Sequence, residues 1–202
     1  MLDSFLRPTQ IKTNQDGGLL RLIACVCMFI DHAGKMLFPQ LTWMRMVGRL
    51  AFPLFAYGIA VGAAMTRHPR QYIARVAALA LVSQPLYAVA LGHTNEAMYA
   101  VPFAQHPLRA LCTFYMESWE KPSILLALLL GLLLLLCLRE KQYVPALLIY
   151  VLCARFSAEL DYGVSGIGLM VVFYLFPEHP ALCFAASTAY MLVWSADGHG
   201  YP

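Results

Sequence analysis

The long runs of apolar residues decide what this chain can fold into. A helix needs about 20 mostly apolar residues to cross a bilayer, with about 17 as the lower limit. Residues 19–38, 46–65 and 72–91 meet that length, and 123–138, slightly short, is almost uninterrupted leucine. The runs 143–156, 164–176 and 181–195 are shorter, so they read as tilted, re-entrant or extended into their flanks. Seven segments, within a range of six to eight, predict an all-α fold, a polytopic transmembrane helix bundle. Composition agrees, because 60% hydrophobic and 12% charged residues would leave a soluble domain of this size short of polar surface. An ordinary cytosolic enzyme is thereby excluded. A net charge of +3, spread along the chain, is too small to suggest nucleic acid as a partner. The lipid bilayer is the expected one.

Residues 1–18 are polar, with Arg7, Pro8, Lys12, Asn14 and Asp16 ahead of Gly17-Gly18. The apolar run that follows carries Arg21, Asp31, His32 and Lys35 and has no small-residue cleavage signature, so it does not read as a signal peptide. With the amino terminus inside, seven crossings collect Arg7, Lys12, Arg21, Arg67, Arg70, Arg75, Arg139 and Lys141 on the cytoplasmic side. The other side collects Lys35, Arg45, Arg49, Arg109, Lys121 and Arg155, so the positive-inside rule predicts a cytoplasmic amino terminus. Residues 92–122, polar and proline-containing, cannot span and become a long outer loop. The whole chain, 1–202, then reads as one integral-membrane domain. Five of the six cysteines read as small hydrophobes, and Cys112 falls in the outer loop. His68, His93, His106, His179 and His199 show no zinc-ligand spacing, so no metal is expected. There is no P-loop and no G-x-S-x-G motif.

Ionisable residues inside the apolar runs are the informative ones, because a charge at mid-bilayer costs about 3 kcal/mol on insertion scales. Eleven positions separate Arg21 from His32, which returns to within about 20° of the same helix face and rises about 16 Å. Imidazole accepts a proton near neutral pH, and a neighbouring carboxylate can orient it or stabilise its charged form; Asp31-His32 offers both groups. The alternative for Asp31 is an ion pair with Lys35 at i+4. Arg45 and Arg49 lie one turn apart, and Pro53 cannot donate to the carbonyl of Arg49, which predicts a kink beneath two guanidinium groups suited to an anion. Snorkelling is the competing account of Arg45. Ser83-Gln84-Pro85 with Tyr87 places hydrogen-bonding side chains at a second proline, either for a ligand or as interhelical glue. Glu159 and Asp161 precede a glycine-rich helix start, where Asp161 is a ligand-contact candidate or a helix cap.

The segment Gly18–Ala24 continuing through Met28-Phe29-Ile30-Asp31-His32-Ala33-Gly34 resembles the first helix of the TraX family. Arg45-x-x-Gly48-Arg49-Leu50-Ala51-Phe52-Pro53-Leu54-Phe55-Ala56, Thr66-Arg67 with Tyr72-x-x-Arg75, Ser83-Gln84-Pro85-x-Tyr87 and Asp161-Tyr162-Gly163 look like its successive blocks in order. The resemblance implies an N-acetyltransferase of the bacterial inner membrane that modifies the amino terminus of pilin, the conjugative pilus subunit, with acetyl-CoA as donor. The Arg21 to His32 spacing is also similar to that in the first helix of membrane acyltransferases that O-acetylate surface sugars. This chain departs from the family pattern in the long irregular loop after Asn95 and in ending soon after its last segment.

Together these readings make His32 the expected base, with Asp31 in support. Arg45 and Arg49 are expected on the donor's phosphates, Arg21 guiding the donor, and Gln84, Tyr87 and Asp161 as further substrate contacts. The rival is a non-enzymatic membrane protein, a proton-coupled transporter or a pilus assembly factor, since intramembrane Asp, His and Arg also serve proton relays. Visible inverted repeats, the mark of many transporters, are absent from the sequence.

Overall fold

The computed structural model describes residues 17–156, 162–176 and 180–196, and every regular element among them is helical. The helices are α1 (Gly17–Met36), α2 (Thr42–Gly48), α3 (Ala51–Met65), α4 (Pro69–Ala90), α5 (Pro107–Glu117), α6 (Ile124–Arg139), α7 (Tyr143–Arg155), α8 (Gly163–Leu175) and α9 (Pro180–Ala196). Gly17–Met36, Thr42–Met65 and Pro69–Ala90 are long and apolar enough to cross a membrane, as their runs predicted. The leucine-rich α6 and the shorter apolar helices α7, α8 and α9 complete the expected seven segments.

The second segment is one apolar span, Thr42–Met65, whose helix is interrupted at Arg49 and Leu50, dividing α2 from α3. Pro53 explains it. Lacking an N–H, it leaves the Arg49 carbonyl without its i+4 donor, yet in the first turn of α3 no donor is needed. In α4, Pro85 sits inside the helix and frees the carbonyl of Leu81, which accepts instead from the hydroxyl of Tyr115 at 3.2 Å. The helix ends where Gly92 takes a left-handed conformation (φ 69°) and the His93 N–H reaches back to the Ala88 carbonyl at 2.8 Å, a Schellman stop. Lys141 makes the same stop after α6 at φ 59°. The connection from 92 to 122 is more ordered than a loop, holding a 3-10 turn at Glu96–Tyr99, helix α5 and a second turn at Ser118–Glu120. Its interspersed polar residues hide that order from an apolar-run test.

Helices α3, α6 and α8 form the centre. Small residues on α3, Ala56, Ala60 and Ala63, are fully or almost fully buried and let Leu132, Leu135, Ile167 and Met170 close in, the packing device of helices in lipid. Gly131 on α6 is another such place, where a Cβ would collide with the Met170 side chain. At one end of the bundle Tyr72 of α4 lies against Gly62 of α3, and Arg139, ending α6, donates to the carbonyls of Ala63 (3.0 Å) and Thr66 (2.9 Å). A cation there caps the exposed carbonyls of α3 and complements its dipole. Outward faces stay apolar: Leu22, Val26 and Phe29 on α1, and Val82 and Leu86 on α4, are exposed, as a bilayer requires.

Candidate functional site

On α1 the residues that face inward are small. Ala24, Cys27 and Gly34 are buried, and Asp31 falls on the same stripe at helical spacing, which directs its carboxylate toward the bundle. After a short turn α2 runs back along α1, with Gly34 facing the Met44 side chain and Gly48 facing Asp31. A Cβ on Gly48 would stand 2.7 Å from the Cα of Asp31, so only glycine permits this approach. The carboxylate then meets Arg45, whose Nη1 donates to Oδ2 at 3.2 Å. The two side chains are 24% and 33% exposed. Asp31 is therefore paired across helices with Arg45 rather than within α1 with Lys35, and Arg45 turns inward rather than snorkelling. The reason is the close passage of α2, which helical periodicity alone does not reveal.

His32, the next residue along α1 and half-buried, bonds through Nδ1 to the carbonyl of Met28 at 2.8 Å. A carbonyl can only accept, so Nδ1 donates, and whenever the ring is neutral this tautomer leaves Nε2 as the acceptor. That tautomer makes Nε2 the nitrogen that can act as a base.

Around this centre the expected residues divide. Arg49, the cap residue of α2, is exposed. Arg21 lies near the start of α1, exposed and within Coulombic reach of Tyr72, about 16 Å along the helix from His32. Gln84 belongs to a different constellation. Fully buried, it donates through Nε2 to the carbonyls of Ser118 and Lys121 (3.0 Å), and its Oε1 accepts from the Ser123 N–H at 2.9 Å. Its amide thus holds the turn that leads into α6, which is the interhelical glue of the second reading. Tyr87, half-buried nearby on α4, has its ring 5.6 Å from that of His93. Asp161 lies outside the described residues.

Its neighbour Tyr162 shows what sequence reasoning missed. Held left-handed at φ 62°, Tyr162 stacks on Phe52 of α3 with ring centroids 4.0 Å apart and planes at 7°, and meets the edge of Trp194 at 6.0 Å. Gly166 makes room, since a Cβ there would come within 2.8 Å of Phe52 and 2.9 Å of Tyr162. The stack draws the block that contains Tyr162 and Gly163 against the block that runs from Arg45 to Ala56. The signal was present as an aromatic in each block, but two aromatics in separate apolar helices do not announce a pair.

The helices and this arrangement define a polytopic helical membrane protein with a buried-facing ion pair and an oriented histidine in its first two segments. The chain belongs to the TraX family, whose profile, described as "TraX protein", matches residues 16–197. It is 25% identical over 178 residues to the "Probable fimbrial assembly protein FimC" of Dichelobacter nodosus, a match covering 85% of this chain and 67% of that one. It is 33% identical over 66 residues to "Protein TraX" of Escherichia coli, covering 33% of this chain and 26% of the other. A 48-residue stretch is 48% identical to an uncharacterized protein of Rickettsia prowazekii, covering 24% of this chain and 19% of that protein. No solved structure matches the chain.

Proposed function

We propose that the protein is an integral-membrane acyltransferase that acetylates the amino terminus of pilin, or a related envelope acceptor, from acetyl-CoA. The observation that carries the reading is the His32 ring, its Nδ1 occupied by the Met28 carbonyl and its Nε2 left to take a proton, one residue along α1 from the Asp31 that pairs with Arg45. In this reading the acceptor's neutral amine attacks the acetyl carbonyl. The C–N bond forms as the C–S bond breaks, Nε2 accepts the proton lost by nitrogen, and that proton is returned to the departing thiolate. Arg45, while fixing Asp31, and Arg49 face the donor's phosphates, and Arg21 guides the donor from its own end of α1. Tyr87 and Asp161 remain assigned to the acceptor or donor, and Gln84 acts on the site only by holding the α6 turn. The bacterial inner membrane, with the amino terminus in the cytoplasm, gives both substrates access.

The test is transfer itself. Purified protein in detergent, given labelled acetyl-CoA and a pilin-like peptide, should label the peptide, and His32→Ala should reduce the rate by about 10²-fold or more. Label that never leaves the donor, or a His32→Ala variant as fast as the parent, ends this proposal. A second reading, a non-enzymatic pilus assembly factor, draws on the name of the Dichelobacter relative, which matches most of this chain. It expects loss of assembled pili on deletion of the protein but full activity in cells for His32→Ala.

A further inference from the structure

We propose that α5 is an in-plane membrane anchor, a helix lying in the bilayer interface with an apolar stripe sunk among the lipid chains. Its buried side is set by Ala110, with Phe114 and Glu117 half-buried next to it. Opposite, at helical spacing, Leu111, Tyr115, Leu108, Cys112 and Met116 form one continuous arc, edged by Arg109. Leu108 is 79% exposed, Leu111 55% and Met116 70%. An outward arc of this kind is costly against water and natural against lipid.

The geometry fixes which lipid region it meets. The α5 segment is bent by 69° from α6, and α6 packs in the centre of the bundle. With α6 standing across the bilayer, α5 lies within about 20° of the membrane plane. Its depth follows from its ties to α4. Tyr115 reaches the carbonyl of Leu81, and Ser118 is bound to Gln84, residues about 9 to 14 Å short of the α4 end at Ala90. The 22 residues of α4 rise about 33 Å, close to the hydrocarbon thickness, so these ties stand in the outer half of the hydrocarbon, where they hold the sunk side of α5 against a crossing segment. Its arc is continuous in character with the exposed Val82 and Leu86 of α4, already lipid-facing. A broken span is the competing geometry, but Glu117, Glu120 and Lys121 stand at the junction and the bend turns the helix aside rather than across.

The unmodified chain tests this in vesicles of phosphatidylethanolamine and phosphatidylglycerol that carry a photoactivatable diazirine on the acyl chain. Illumination should place lipid adducts on peptides covering 107–117 at a yield within about threefold of those covering α4. Adducts on α4 with none on 107–117 would overturn the proposal. A nitroxide on Cys112, in a Cys25→Ala background that leaves one exposed cysteine among those described, gives a second measurement. Collisions with oxygen should exceed those with a water-soluble nickel chelate, and the order should reverse at a label on Gln105→Cys. Equal access to the chelate at both positions, or spectra that broaden as the protein-to-lipid ratio rises, would replace lipid by water or by a second copy.

Discussion

Asp31 and Arg45 are held together by what is missing at Gly48. Adding a methyl group there pushes α2 from α1, so Gly48→Ala should destabilise the protein by about 1 to 3 kcal/mol, read as a lower melting temperature in detergent, and should loosen the ion pair. The pair itself has a characteristic signature. Asp31→Ala leaves the Arg45 charge facing the bundle without its partner, a loss of about 3 kcal/mol on insertion scales, whereas the double variant Asp31→Ala/Arg45→Leu removes both charges and should recover most of it. If the double variant melts no higher than Asp31→Ala, the pair is not what couples the two helices. Sequence singled out Asp31, His32 and Arg45 as residues that lipid should not hold, on cost alone. Their pairing was hidden, because Lys35 at i+4 satisfies the same local rule and only the turn between α1 and α2 brings Arg45 nearer. The role of Gly48 was equally hidden, since a glycine reads the same whether it faces lipid or a carboxylate.

Elements were read more completely than contacts. The apolar runs gave the seven segments to within a few residues, hydrocarbon thickness setting the length of the first three, and Pro53 marked the break that separates α2 from α3. Helix α5 escaped, because a helix lying along an interface needs only half an apolar surface and its sequence resembles a loop. At this scale Gln84 is the residue to test. Gln84→Leu leaves the carbonyls of Ser118 and Lys121 and the N–H of Ser123 without partners, at about 1 to 3 kcal/mol for each group that stays dry. The expected outcome is an early melt with increased proteolysis between 92 and 122. Pro85 and Tyr115 form a coupled pair. Tyr115→Phe should cost about 1 kcal/mol in the parent and close to nothing in Pro85→Ala, where the helix supplies its own donor to Leu81. Additive losses in that cycle would mean the Tyr115 hydroxyl has some other use.

Across the whole molecule the charges separate. Arg21, Arg67, Arg70, Arg75 and Arg139 gather at the end where α3 meets α4 with Glu140 as their acidic neighbour, while at the other end Glu96, Glu117 and Glu120 offset Lys35, Arg109, Lys121 and Arg155. The positive-inside rule then predicts that reporters fused near Arg67 and Lys141 are active in the cytoplasm and that one inserted near Gln105 is exported; the reverse pattern would invert the proposed route of the donor. The borrowed bond at Leu81 also has a place in time. Its donor lies 34 positions later in the chain, and about 25 residues remain to be made after α4 is complete. At bacterial synthesis rates that interval is on the order of seconds. Throughout it α4 carries a carbonyl that only water can serve, so the helix cannot settle fully into dry hydrocarbon until the outer segment has arrived. A nascent chain stopped before Tyr115 and one stopped after it are therefore expected to differ in the burial of α4, and the proline becomes a marker of assembly order.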